Sequence, residues 1–203
     1  MNKQEKTQEI EALRSELRLH RDRTIVSVLC FVGLRPGELL HLRWKDLNDD
    51  RLHVRGSISN GIEKTTKTGR TRTVKLLAPV VQDLREWRMA CGRPSDSELI
   101  FPMQDGRAWT AAKYRNWSDR IFDPAVERAG LSKIRVYDCR HACASLWLAA
   151  GRNPAAIAKQ LGHSLGTLLS TYSHEIDEFE DRPPIDPVEE ILAARGSRRL
   201  ASG

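Results

Sequence analysis

The sequence predicts a mainly α-helical domain that carries one small antiparallel β-sheet. Three patterns predict it. Apolar residues recur at helical spacing along most of the chain, residues 51–76 switch to a period of two, and glycines and prolines punctuate the boundaries. The 203 residues are enough for one well-buried core, and 40% apolar with 30% charged residues is the balance of a folded chain.

Residues 3–20 spell a polar, weakly amphipathic helix with Ile10, Leu13 and Leu17 on one side. It is expected to stand as a polar helix or linker (1–20) ahead of the main domain (21–182). Residues 24–34 are apolar all round, as in a helix buried in a core. Gly33 ends that helix, and Pro36 sits where the next can begin, running to Trp44. Between 51 and 76, Leu52, Val54 and Ile58 alternate with polar neighbours, Asn60-Gly61 is a hairpin signal, and Arg70 to Leu76 alternates again. About three strands are expected there. Helical patterns return at 79–91, 109–129, 137–150 and 154–161, the last two closed by Gly151 and Gly162. A short helix is expected from Leu168 to Tyr172. Pro183, Pro184 and Pro187 then form a stiff linker before a tail helix at 188–195, and together these make up a terminal segment at 183–203.

Several classes of protein are disfavoured. No stretch approaches the ~18 apolar residues a membrane span needs, and the opening MNKQEKTQEI has no apolar signal core, so a cytoplasmic protein is expected. Cys30, Cys91, Cys139 and Cys143 are scattered among apolar residues and read as reduced, buried fillers. Cys139 and Cys143 share a helical face, but two ligands do not make a metal site, and His141 is expected to point elsewhere. Lys plus Arg total 33 against 27 acids, giving +6 and a pI near 9.3. The excess is concentrated. Lys64, Lys67, Arg70, Arg72 and Lys75 crowd into residues 63–75 against one acid, while 175–190 is strongly acidic. Such a run suits a polyanion, and equally a plain solvated face.

Five places carry potential chemistry. Arg35, in FVGLRPGELLHLRW, falls at the break between a buried helix and the next, where burial without an anion is costly. Glu38 is placed to hold it, which alone would be a structural ion pair. Lys67, in TTKTGRTRTVKL, lies near a turn of the sheet, an ordinary solvated position unless something recruits it. In YDCRHA, Tyr137 and Arg140 share one helical face while Cys139, Cys143 and Leu146 form the apolar stripe, so the polar pair is expected to face away from the core. His163 follows the helix that Gly162 ends, and Tyr172 comes nine residues later in STYSHE.

In this order the segments resemble the tyrosine recombinases of the phage-integrase type, over about residues 20–175. GLRPGELL, Lys67 before RTVKL, YDCRH, LGHS and Tyr172 stand where that family has its arginine box, hairpin lysine, H-x-x-R box, L-G-H box and tyrosine. The resemblance implies that family's catalytic-domain fold and site-specific DNA recombination or integration through a 3′-phosphotyrosyl intermediate, with no cofactor, metal or ATP. It implies Tyr172 as nucleophile, Arg35 and Arg140 on the phosphate, Lys67 protonating the leaving 5′-oxygen, His163 donating to a non-bridging oxygen, and Glu38 orienting Arg35. A free phenol, with pKa ~10, is only about 0.1% ionised at pH 7, so the site must help it lose its proton. Lys64, Arg70 and Arg72 would lie near the DNA backbone.

The implied partner is double-stranded DNA, bound by four protomers on two duplexes, with a monomer free in solution. The tail helix, through Val188, Ile191 and Leu192, would dock on a neighbour or pack on its own domain. Many members carry a further DNA-clamping domain ahead of the catalytic one, and only about 20 residues precede the matched region here. One position departs from the pattern: Tyr137 stands where the H-x-x-R box has histidine, and a neutral phenol is a poor proton acceptor. Two other functions share these residues, type IB topoisomerase relaxation and a non-catalytic DNA-binding remnant.

Overall fold

Residues 24–32 are buried on every side, which makes their helix the axis of the structure. In a computed structural model, which describes residues 3–59, 62–65, 71–180 and 184–201, this helix is α2, His20–Val32. Around it pack α1 (Lys3–Ser15), α4 (Ala78–Ala90) and α7 (Asp138–Ala149). Among the described residues, no helix is long and apolar enough to cross a membrane.

The polar first helix is part of the core. Ile10, Leu13 and Leu17 are buried, and so are its charged residues Glu11 and Arg14. Arg14 pairs with Glu11 and reaches Asp83 of α4 at 3.1 Å. The tail helix α10, Pro187–Ala201, completes the same network: Arg195 contacts Glu11 at 3.1 Å and Asp83 at 2.8 Å, and Ile191 is fully buried. The boundaries expected near residues 20 and 183 are therefore not breaks in packing, and α10 lies on its own domain, against α1 and α4.

The strands divide into two groups. β1 (Leu47–Asn48), β2 (Arg51–Val54) and β5 (Arg72–Lys75) form an antiparallel sheet in the order β1-β2-β5. β3 (Gly56–Ser59) and β4 (Ile62–Thr65) form a separate antiparallel ribbon. The ribbon leans on α3, Pro36–His41, because Gly37 leaves room for it: a Cβ there would stand 2.5 Å from the Ile58 carbonyl oxygen. The Asn60-Gly61 turn lies outside the described residues.

The helix expected at 109–129 is α5 (Ala111–Trp117), a π turn (Ser118–Phe122) and α6 (Asp123–Arg128). Pro124 explains the interruption, since it lacks an N–H and its ring crowds the carbonyl four residues back. α8 (Pro154–Leu161) starts at Asn153, whose side chain accepts from the Ala155 N–H at 2.8 Å, and ends at Gly162 with φ +70°. α9 runs Leu165–Glu180, longer than the turn expected around Leu168, and its backbone leaves helical geometry at Tyr172. Cys30, Cys139 and Cys143 are buried as expected, but Cys91 is exposed, because it follows the last turn of α4 where the chain reaches the surface.

Candidate active site

Two helices end in left-handed glycines, and their last carbonyls organise the site. α2 ends at Gly33 (φ +74°) and α8 at Gly162. Helix C-termini present unpaired carbonyls and the negative end of the helix dipole, so they suit cations. Three successive carbonyls of the α8 end each accept from a different arginine. Gln160 O receives Nε of Arg72 at 3.1 Å, Leu161 O receives Nη2 of Arg140, and Gly162 O receives Nη2 of Arg35 at 3.2 Å. Nη1 of Arg140 donates to Gly33 O, so one guanidinium ties together the ends of α2 and α8.

Arg35 owes its position to the residue after it. A residue before proline favours extended backbone, and Arg35 has φ −69° and ψ 147° at the start of α3. Glu38 turns back along α3, accepting the Arg35 N–H at 2.9 Å and its Nη1 at 3.0 Å. Glu38 also takes a two-pronged pair from Arg72, with both contacts at 2.8 Å. Burial alone would raise the pKa of this carboxyl. The Arg72 hydrogen bonds and charge, with Arg35 behind them, outweigh that and hold it below the ordinary value.

The structure thus gives Arg72 a different place from the expected DNA-backbone contact. It lies on the face of β5 shared with Val74, its side chain is 14% exposed, and both prongs of its guanidinium are committed to Glu38. Arg140 also departs from expectation. It faces inward and is 2% exposed, because the carbonyls of Gly33 and Leu161 compensate its charge. Desolvation, then the charge of Arg35, lowers its pKa to about 10, and its Nε has no partner among the described residues. Arg35 remains 41% exposed and is the open edge of the pair.

His163 follows Gly162 directly, and its N–H closes the helix end on Ala158 O at 2.9 Å. Burial first, then the charges of Arg140 and Arg35, lower its pKa to about 4, so it is neutral at pH 7. Among the described residues its buried Nδ1 has no partner. Tyr172 lies one helical turn beyond the fully buried Leu168, and this spacing aims it inward. Its ring is 2% exposed, and burial raises its pKa to about 12 despite the opposing pull of Arg140.

Tyr137 stands just ahead of α7 and is 44% exposed. It packs edge-on against His141, with ring centroids 5.9 Å apart. His141, to which the sequence assigns no part in the chemistry, meets the Tyr172 hydroxyl through Nδ1 at 2.9 Å. Periodicity within α7 could not have found this contact, because it depends on where α9 returns. Lys64 is on β4, opposite Ser57. Lys67 and Arg70 lie outside the described residues.

A mostly helical domain that brings paired arginines, a neutral histidine and a buried tyrosine to one region defines a candidate centre for nucleophilic attack on a phosphate. The chain belongs to the phage integrase family, whose model matches residues 2–178. It is 30% identical to prophage integrase IntR of Escherichia coli strain K12 over 74% of its own length and 42% of that protein. It is 32% identical to tyrosine recombinase XerC of Xanthomonas axonopodis pv. citri over 76% of its length and 47% of that protein. The chain spans less than half the length of either relative. Among solved structures it resembles the XerA recombinase (TM-score 0.65, 22% identity, 90% of this chain and 64% of that one). It also resembles the XerH site-specific recombinase bound to its difH substrate before cleavage (0.63, 25%, 88% and 50%). The lambda integrase catalytic core aligns at 0.57, with 19% identity, over 78% of this chain and 93% of that one. The fold is that of tyrosine recombinase catalytic domains.

Proposed function

We propose that this domain cuts and rejoins DNA during site-specific recombination, with Tyr172 forming a 3′-phosphotyrosyl bond. One observation carries the reading: three consecutive carbonyls at the end of α8 hold Arg72, Arg140 and Arg35, and the next residue is His163. A phosphodiester entering there would meet the exposed edge of Arg35, with the buried charge of Arg140 behind it. Planar guanidiniums suit paired non-bridging oxygens. Neutral His163 would donate one further hydrogen bond, and Lys67 would protonate the leaving 5′-oxygen. Glu38 holds Arg35 in place. Family membership and the likeness to XerH, solved with its DNA substrate, support double-stranded DNA as the partner.

Lys64 and Arg70 are proposed to contact the DNA backbone, whereas Arg72 acts through Glu38. Four protomers would act on two duplexes in the cytoplasm, and resealing by a second 5′-hydroxyl would need neither metal nor ATP because the phosphotyrosyl bond conserves the bond energy. The test uses a suicide DNA substrate that loses its cut end, with covalent adduct followed on a denaturing gel. Wild type is expected to accumulate adduct and Tyr172→Phe none. Adduct of equal yield in both would refute the assignment.

A further inference from the structure

Tyr172 and His141 meet across the seam between α7 and α9. Their rings are 5.6 Å apart between centroids, and the phenol oxygen lies at hydrogen-bond distance from Nδ1. Tyr137, at the position where the family pattern has histidine, packs on His141 instead. The groups facing His141 are Tyr137 and Asp138 from its own segment, His163 after α8, and Tyr172 on α9. Of these, a phenol is a poor proton acceptor.

We propose that His141 is the group that takes the proton from Tyr172 during cleavage and returns it during rejoining. The proposal rests on Tyr172 being the nucleophile. With its Nε2 protonated, His141 offers the Nδ1 lone pair to the phenol. The Oη–H bond breaks as Nδ1–H forms, and the freed electron pair makes the bond to phosphorus. The bond from phosphorus to the 5′-oxygen breaks, and that oxygen takes its proton from an ammonium group, the role given above to Lys67. In rejoining every step runs backwards, and the imidazolium reprotonates the departing phenol.

Two further features agree. A phenol buried to a pKa of about 12 is ionised only about once in 10⁵ molecules at pH 7, so a local acceptor has much to contribute. His163 stays neutral at pH 7, so it adds no positive charge beside His141.

The experiment uses DNA with sulfur in place of the scissile 5′-bridging oxygen, so that the leaving group needs no proton, and follows single-turnover adduct formation against pH. His141→Asn keeps a hydrogen-bond acceptor close to the Nδ1 position but has no basicity. His141→Leu removes both properties. At pH 7 each variant is expected to react on the order of 10²-fold or more slowly, within the usual range for general acid–base catalysis. The deficit should shrink as pH rises and hydroxide takes over the proton. If His141→Asn reacts as fast as wild type, or its deficit is the same at every pH, proton transfer to His141 is overturned. Thermal melts establish that each variant is folded, and Asn carries the comparison if Leu is not. Absence of adduct from wild type would instead overturn the role of Tyr172, a distinct outcome.

Discussion

Glu38→Gln is the most direct probe of how the arginines are held. The substitution preserves shape but replaces one acceptor oxygen with an NH₂ group that faces guanidinium donors. Glu38 is buried and its Arg72 partner nearly so, with both contacts at 2.8 Å. Removing one partner of a buried pair costs about 3–5 kcal/mol. Arg72 keeps its bond to Gln160 O, which favours the lower end of that range. The Arg35 side chain is far more solvated, so its contact adds no more than ~1 kcal/mol. The expected loss is about 3–4 kcal/mol, or a fall of roughly 6–16 °C in melting temperature for a chain of this size. Urea unfolding followed by tryptophan fluorescence measures it. The pH dependence supplies a second signature. Glu38 has a folded pKa below the ordinary 4.5, so its stabilisation is present above the unfolded value and is lost as pH falls through the folded one. The gap between wild type and variant should therefore narrow in acid. A loss under ~1 kcal/mol, the range of an exposed ion pair, would refute the claim that Glu38 anchors the arginines.

Gly162→Ala is expected to cost about 1–2 kcal/mol from its left-handed backbone alone. Its new Cβ would also stand 3.0 Å from Nη1 of Arg72, so adduct formation should fall along with urea resistance; unchanged adduct yield would contradict the role of the α8 end. His163 has a folded pKa of about 4 against ~6.5 unfolded, so between those values the unfolded chain holds a proton that the folded one lacks. Stability should therefore rise with pH across that window and rise less in His163→Asn, and equal slopes in urea titrations would count against the assignment. Tyr137→Phe should weaken adduct formation far less than Arg140→Ala, since Tyr137 is largely exposed and Arg140 joins two helix ends. Comparable losses in the gel assay would remove that distinction.

Much of this arrangement was legible in the sequence, because it depends on local rules. The glycines at 33 and 162 predict helix ends, Pro36 predicts a helix start and an extended Arg35, and Glu38 three residues on predicts their pairing. Arg72 was also within reach: it lies two residues before Val74, and a strand period of two puts both on the buried face. Its basic neighbours suggested a solvated strand instead. The inward turn of Arg140 was not legible from α7, since an arginine enters a core only where other elements supply acceptors, and these come from residues 33 and 161. The His141–Tyr172 contact is likewise non-local, spanning 31 positions, and the close approach of the Ile58 carbonyl to Gly37 is one that strand patterns cannot express.

The charges around the site explain why binding and chemistry should be separate events. Arg35, Arg72 and Arg140 bring three positive charges together, Glu38 returns one negative charge, and His163 is neutral. Among the described residues the cluster is therefore two charges positive, stabilised only in part by carbonyl dipoles at the end of α8. A phosphodiester brings one negative charge, which such a desolvated cluster should bind strongly. The same anion, however, removes part of the positive field that would favour a phenolate at Tyr172. Phosphate binding thus makes the nucleophile harder, not easier, to ionise in advance. Attack must then be coupled to proton removal as the bond to phosphorus forms, and this gives a proton acceptor at 2.9 Å more value than any further cation.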